Sequence, residues 1–181
     1  LLKMAVQGSY SYYHLISGAD LPIKTQNQIH CFFNTHAGKE FVHFSSVNLT
    51  SRDIARVKYR YPIQELIGRY RNIPLLRRFL SGLSNLYVLI QKGLGVNRLI
   101  PGLRLAKGGQ WFSISHDLAT YVIERTSWIQ AFIDESLIPD ELFLQTLVLN
   151  SSFSERLYWN KFDDDYRACM RAVEWRPRIY T

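Results

Sequence analysis

Cysteine is scarce: Cys31 and Cys169 are the two in 181 residues. No partner spacing frames them, so neither a disulfide framework nor a cysteine-based zinc site can be built, and a reducing compartment such as the cytoplasm is the expected setting. Long apolar runs are missing as well. No stretch of about eighteen apolar residues exists to cross a bilayer, and no signal peptide is visible. There is no glycine-rich phosphate loop, no G-x-S-x-G elbow and no His-Glu-x-x-His. The five histidines are scattered, none paired with a second ligand at helical spacing.

Acidic residues are absent where basic ones gather. Residues 51–110 hold twelve Lys or Arg against only Asp53 and Glu65, a local excess of +10 within a net charge of +7. The remaining 121 residues therefore carry −3. Such a block attracts an anion: a nucleic acid, lipid head groups or a phosphate-bearing small molecule. No recognisable nucleic-acid motif accompanies it, so nucleic acid is not an expected partner of an enzyme reading. Apolar residues at 47% and charged residues at 20% exclude a disordered tail and fit one folded domain. The many aromatics, eleven Tyr and ten Phe, suit a core and suit stacking on sugar rings.

Residues 10–16 form an aromatic and β-branched run ended by Ser17-Gly18-Ala19-Asp20-Leu21-Pro22, which predicts a strand and a tight turn. Thr25 caps an expected helix to about Asn34, with Gln28 in the capping-box position. Residues 41–44 and 110–115 read as further strands, and Ser115 as the cap of a helix over residues 116–125. Pro139 opens an expected helix whose first turn holds Asp140 and Glu141, where the helix dipole favours acids. Strands alternating with helices predict an α/β domain with a mixed, largely buried sheet flanked by helices. Over residues 74–96, Leu75, Leu76, Phe79, Leu80, Leu83, Leu86, Tyr87 and Ile90 recur at helical spacing beside Arg77, Arg78 and Lys92. That pattern fits a helix packed on the sheet, or an amphipathic insertion lying on an anionic membrane surface. Asp163-Asp164-Asp165 contains the Asp-x-Asp pattern of metal-dependent sugar transferases. It sits in a polar stretch, reads as a solvated acidic loop, and is not taken as a metal site.

Three segments stand out together: Tyr12-Tyr13-His14-Leu15-Ile16-Ser17-Gly18-Ala19-Asp20-Leu21-Pro22-Ile23-Lys24-Thr25, then Gly108-Gly109-Gln110-Trp111-Phe112-Ser113-Ile114-Ser115, then Ile138-Pro139-Asp140-Glu141-Leu142-Phe143-Leu144-Gln145-Thr146. In that order and spacing the chain resembles glycosyltransferase family 14, which holds the core-2/I-branching N-acetylglucosaminyltransferases and the peptide O-xylosyltransferases, and is most similar to its bacterial members. The resemblance implies a GT-A-like fold and transfer of a sugar, N-acetylglucosamine first and xylose second, from a UDP-sugar with inversion and without a metal cofactor. The acceptor would be a glycan or glycolipid in polysaccharide biosynthesis. It implies that Glu141 is the catalytic base, although the residues alone would read Asp140-Glu141 as helix capping; Asp140 stays a cap or an orienting neighbour.

Other carry-overs are partial. Arg56-Val57-Lys58-Tyr59-Arg60-Tyr61 is similar to an acceptor-contacting stretch of the branching enzymes, which places Arg56 and Lys58 among substrate-binding residues. Asp53 stands where that stretch is preceded by a Lys. Trp175 matches a Trp near the acceptor site, or is a core strand residue. Trp111 of the second segment is also placed at the substrate site. Ser17 stands where some relatives have a Cys, and Asp20 either lines the donor site or closes the turn with Gly18. Arg176 and Arg178 lie close to the region of the diphosphate-binding cations. The chain, beginning Leu1-Leu2-Lys3-Met4, reads as the middle of one catalytic domain, with the first nucleotide-binding strands upstream and the C-terminal end beyond Thr181. It is expected in the cytoplasm or held peripherally at the inner face of a membrane. The rival reading is a non-enzymatic module binding anionic lipid or nucleic acid through residues 51–110.

Overall fold

A computed structural model describes residues 1–45 and 48–173. In chain order the elements are helix α1 (Leu2–Ala5), strand β1 (Tyr12–Leu15), helix α2 (Gln26–Thr35), strand β2 (Phe41–Val42), helices α3 (Ser51–Lys58), α4 (Gln64–Arg69) and α5 (Pro74–Gly93), strand β3 (Phe112–Ser115), and helices α6 (His116–Glu124), α7 (Thr126–Ile133) and α8 (Phe143–Leu149). Short 3-10 turns, Pro139–Glu141 among them, fill the rest. Trp175, Arg176 and Arg178 lie outside the described residues.

Local signals act where they are expected. Thr25 accepts from the Gln28 N–H and the Gln28 side chain returns to Thr25, a complete capping box at the start of α2. The Ser115 side chain accepts from the Leu118 N–H and starts α6 directly off β3. Thr50 and Asp53 form a second capping box on α3.

The sheet differs from the mixed one expected. Its order is β1-β3-β2, and both pairings are antiparallel. The parallel contact seen among the described residues is a single bridge between Glu40 and Leu157. The reason lies in the crossover: β1, α2 and β2 follow one another as a crossover unit would, but β3 inserts between the two strands and pairs with both. Antiparallel pairing on both sides leaves β1 and β2 running the same way without backbone pairing to each other.

Alternation on the short strands sends two different sets of side chains to the two faces. Tyr13, Ile114, Phe112 and Val42 share one face, where Ile114 and Val42 pack with Leu118, Ala119 and Val122 of α6 and Leu144, Leu147 and Val148 of α8. Tyr12, Phe41 and Ser113 share the other, covered by α2. There Phe33 lies 4.9 Å from the Tyr12 ring and 4.9 Å from Phe41, and Tyr158 lies 4.7 Å from Phe41. Helices thus flank both faces, as expected. The buried Glu40 fastens the β2 end to β3: it accepts from the Ser115 N–H at 2.9 Å and pairs with Arg156 at 3.3 Å. Burial pushes its carboxyl up from the usual range, against the pull of the Ser115 bonds.

Pro139 opens a 3-10 turn rather than a continuous helix. Ile138 before it has φ +49°, Leu142 after it has φ −125°, and the Glu141 carbonyl accepts from the Gly108 N–H at 3.0 Å. Helix α8 then starts afresh at Phe143.

Helix α5 does not pack on the sheet, one of the two placements expected for it. Its principal neighbour is α4. The residues it buries are polar, Ser84 and Gln91.

Candidate active site

Glu141 comes to its place through tertiary contacts on three sides. Its side chain is 40% exposed, and one oxygen, Oε2, accepts from the Arg56 guanidinium at 3.0 Å. No described residue partners the other oxygen, which is left open to take a proton from an incoming group. Arg56 is itself buried, with 8% of its side chain exposed. Its Nε donates to the Leu137 carbonyl at 2.9 Å and its Nη2 to that of Ile138, so one planar fork fixes both the turn and the carboxylate it carries. Asp53, one helical turn before Arg56 on α3, lies 3.6 Å from the guanidinium and accepts from Lys107 Nζ at 2.9 Å. The charges alternate from Lys107 through Asp53 and Arg56 to Glu141. At Asp53, burial acts to raise the carboxyl, but the Thr50 and Lys107 hydrogen bonds and the Lys107 charge outweigh it and hold it down at about 2.

We expect Arg56→Met to lower stability by on the order of 2–4 kcal/mol, since it strips two carbonyls and two carboxylates of a buried charged donor at once. Urea unfolding followed by circular dichroism measures it, and a loss under about 0.5 kcal/mol would reduce the ion pair to a surface contact.

The second side is residues 104–109, which run past α8 and pair with the chain after β2 at Lys107, whose carbonyl accepts from the Ser45 N–H at 2.8 Å. Side chains of α8 and of Asn150 just after it satisfy much of the remaining backbone. Asn150 bonds both the N–H and the carbonyl of Arg104, at 3.0 and 2.7 Å, and the Thr146 hydroxyl bonds both groups of Ala106, at 3.1 and 3.3 Å. Gln145 donates to the Gly109 carbonyl at 2.8 Å. This clamp brings Lys107 to Asp53 and the Gly108 N–H to the Glu141 carbonyl. Gly108 is required for space: a Cβ there would lie 1.8 Å from the His43 carbonyl oxygen.

His43, fully buried, forms the third side. Its Nδ1 accepts from the Gly109 N–H at 2.7 Å, so the ring proton sits on Nε2, 3.3 Å from an Asp164 oxygen. The imidazole stacks on Tyr166 with centroids 4.1 Å apart and planes 9° from parallel. Burial, then the charges of Asp164, Cys169 and Glu141, push the Tyr166 phenol up, which places its hydroxyl in the field of the candidate base. Trp111 meets the Tyr166 ring edge-on at 5.9 Å, and its buried indole N–H has no partner among the described residues.

The structure therefore gathers Arg56, Trp111 and Glu141 into one neighbourhood, and adds Asp53, Lys107, His43, Gln145 and Tyr166, which the sequence does not mark as site residues. Gln145 is visible inside the third segment and Asp53 through its capping box with Thr50; Lys107, His43 and Tyr166 carry no local signal, because partners far away in sequence define them. Arg56, expected among the substrate-binding residues, turns onto Glu141. Of the other expected site residues, Lys58 has its Nζ 5.5 Å from the Tyr59 ring centroid. Asp20 accepts from the Ser17 N–H at 2.7 Å in the turn after β1. Asp140 is exposed and makes no side-chain cap. In the acidic triplet, Asp163 accepts from the Trp159 indole at 2.9 Å, and Asp165 caps its own turn and pairs with Arg167. No group of three or more potential metal ligands occurs among the described residues.

The first and second segments of the sequence are joined by His14 and Ser113, 2.8 Å apart, and the second and third by Gly108 and Glu141. The second and third segments thus meet at Glu141, and the first is joined to the second through the sheet. No curated protein matches the chain. The model of the Core-2/I-Branching enzyme family matches residues 1–180, nearly the whole length, and the chain belongs to this glycosyltransferase-type family.

Proposed function

We propose that the protein is an inverting glycosyltransferase in which Glu141 is the general base. The observation that carries this is the half-exposed carboxylate itself: one oxygen is fixed by a buried arginine, the other is open, and the whole is mounted on a turn braced from α3, α8 and residues 104–109. A base that must meet a hydroxyl within hydrogen-bond reach needs this fixity.

In the proposed reaction the acceptor hydroxyl gives its proton to the open oxygen of Glu141 as its own oxygen attacks the anomeric carbon. The bond from that carbon to the diphosphate breaks on the opposite face, and its electron pair leaves with the nucleoside diphosphate. The configuration inverts in one step. Arg56 acts as a positioning residue, and Trp111 and Tyr166 offer aromatic surface beside the carboxylate for a sugar ring. His43 and Gln145 hold the glycine pair that seats the turn.

Family membership supports a UDP-sugar donor, with N-acetylglucosamine as the first choice, a hydroxyl of a glycan or glycolipid as acceptor, a role in polysaccharide biosynthesis, and a GT-A-like domain as the setting. Independence from a divalent metal is part of the same reading. It is supported by the local commitments of Asp163 and Asp165 to Trp159 and Arg167.

UDP release by the full-length protein, measured over a panel of UDP-sugars with EDTA present, tests the reading. We expect one sugar to support release and the chelator to leave the rate unchanged. A folded protein that releases UDP from no donor, even with extracts supplying acceptors, and binds polyanions in a strongly salt-dependent way, would instead be an anion-binding module.

A further inference from the structure

Helix α5 presents its apolar residues to solvent. Over its 20 residues, Leu75, Phe79, Leu83, Leu86 and Ile90 fall on one stripe and all are exposed, Leu75 at 81% and Phe79 at 63%. At 1.5 Å per residue the helix is about 30 Å long. Most of that length therefore carries a continuous apolar ridge, larger than the scattered exposed leucines normal on a soluble surface.

The orientation is built in. Gln91, on the opposite side of the helix, is 4% exposed, and its amide bonds both the N–H and the carbonyl of Arg60, at 2.9 and 3.0 Å. These two bonds satisfy a backbone pair at the end of α3 and tie the polar side of α5 to the body. The leucine stripe is thereby turned outward.

The charge on α5 is of one sign. The helix contains no Asp or Glu; at helical spacing Arg78 lies beside the apolar side, while Arg77 and Lys92 lie further round, with Lys92 Nζ 5.9 Å from the Tyr59 ring centroid. Arg69 and Arg71 lie on α4 and the turn after it. The side chains of Arg69, Arg71, Arg77 and Arg78 are all exposed, and none has an acidic or hydrogen-bonding partner among the described residues. By contrast Arg56, Arg60 and Lys107, also in the basic block, are each paired with a carboxylate. Arg69, Arg71, Arg77 and Arg78 thus remain free on α4, α5 and the turn between them.

We propose that this ridge seats the protein on an anionic lipid bilayer, with Leu75, Phe79, Leu86 and Ile90 entering the acyl boundary and Arg69, Arg71 and Arg78 meeting the head-group phosphates. An exposed apolar stripe on a helix without acids, with unpaired arginines close to it, matches a surface that is apolar beneath and negative at its plane. No helix among the described residues is long and apolar enough to cross a membrane, so α5 would lie in the interface and not span it. A second protein copy fits less well, because a twofold contact through α5 would bring unpaired arginines of the two copies together with no acid on either helix.

The test is flotation of the full chain with phosphatidylcholine vesicles, with and without phosphatidylglycerol. The wild type is expected to float with the anionic vesicles and to be released by salt. Phe79→Ser with Leu86→Ser, and separately Arg71→Glu with Arg78→Glu, should each lower the partition coefficient about tenfold or more, with circular dichroism unchanged because all four side chains are exposed. Failure to float, equal flotation on both vesicles, or flotation indifferent to both double substitutions overturns the proposal. So does a dimer in light scattering that the Phe79 and Leu86 substitutions dissolve, which would assign the face to a second copy. None of these readouts depends on sugar transfer.

Discussion

Glu141→Gln should reduce sugar transfer by about 10²–10⁴-fold while the protein stays folded. The amide keeps the size and shape of the carboxylate but cannot take up the acceptor proton, so the loss falls on the chemical step. Glutamine still offers a carbonyl oxygen to Arg56, and Arg56 keeps the carbonyls of Leu137 and Ile138 and the carboxylate of Asp53. The stability cost should therefore stay within about 1–3 kcal/mol, the range for a weakened hydrogen bond to a charged group. Initial rates of UDP release with acceptor present, paired with a thermal melt, separate the two effects. A normal rate in a normally folded variant would remove Glu141 from the chemistry and with it the proposed mechanism. The comparison with Arg56→Met is informative in a second way: that variant should lose stability as well as rate, because its guanidinium holds the turn together and does not touch the reacting atoms.

Gly108→Ala should cost more than about 4 kcal/mol and leave little folded protein, which is exceptional for the addition of one methyl group. The added Cβ would sit 1.8 Å from the His43 carbonyl oxygen, 2.7 Å from its carbon and 2.9 Å from the Gln145 amide nitrogen. Two of these three atoms are backbone, and the His43 carbonyl is held in turn by Gln145 at 3.2 Å. No side-chain rotation relieves the contact. To make room, residues 104–109 would have to leave α8, giving up the Thr146 and Gln145 clamp and the bond from Gly108 to Glu141. Gly82 is the natural control: it lies inside α5, and a methyl group added there would meet nothing within 4 Å, so Gly82→Ala should be neutral or stabilise by up to about 1 kcal/mol. Soluble yield and urea unfolding of the two variants give the answer. A Gly108→Ala protein as stable as wild type would show that the glycine is not needed for close approach.

What is legible in the sequence is local or segmental. Thr25 with Gln28, and Ser115 before His116, announce helix starts because a capping bond spans only three residues. The three strands can be placed to within a few residues because alternation and aromatic content are properties of a short window. Glu141 is found through the likeness of three ordered segments, not through its own surroundings, since an acid after Pro139 reads as capping to any local rule.

Several features needed the tertiary structure. The order β1-β3-β2 depends on a strand arriving some 70 residues after β2, and no local pattern says between which neighbours it will insert. From the sequence, Arg56 is placed among the substrate-binding residues only by resemblance. It turns inward because the carbonyls of Leu137 and Ile138, with no helix to satisfy them, need a buried donor about 80 residues away in sequence. The reason for Gly108 is the passage of the His43 backbone, which only folding brings near. Helix α5 shows the division most clearly. Its periodicity is plain from the sequence, yet periodicity states only that a helix has an apolar side. Which side faces the protein was decided by the two hydrogen bonds between Gln91 and Arg60, and a contact of that kind exists only once the chain has folded.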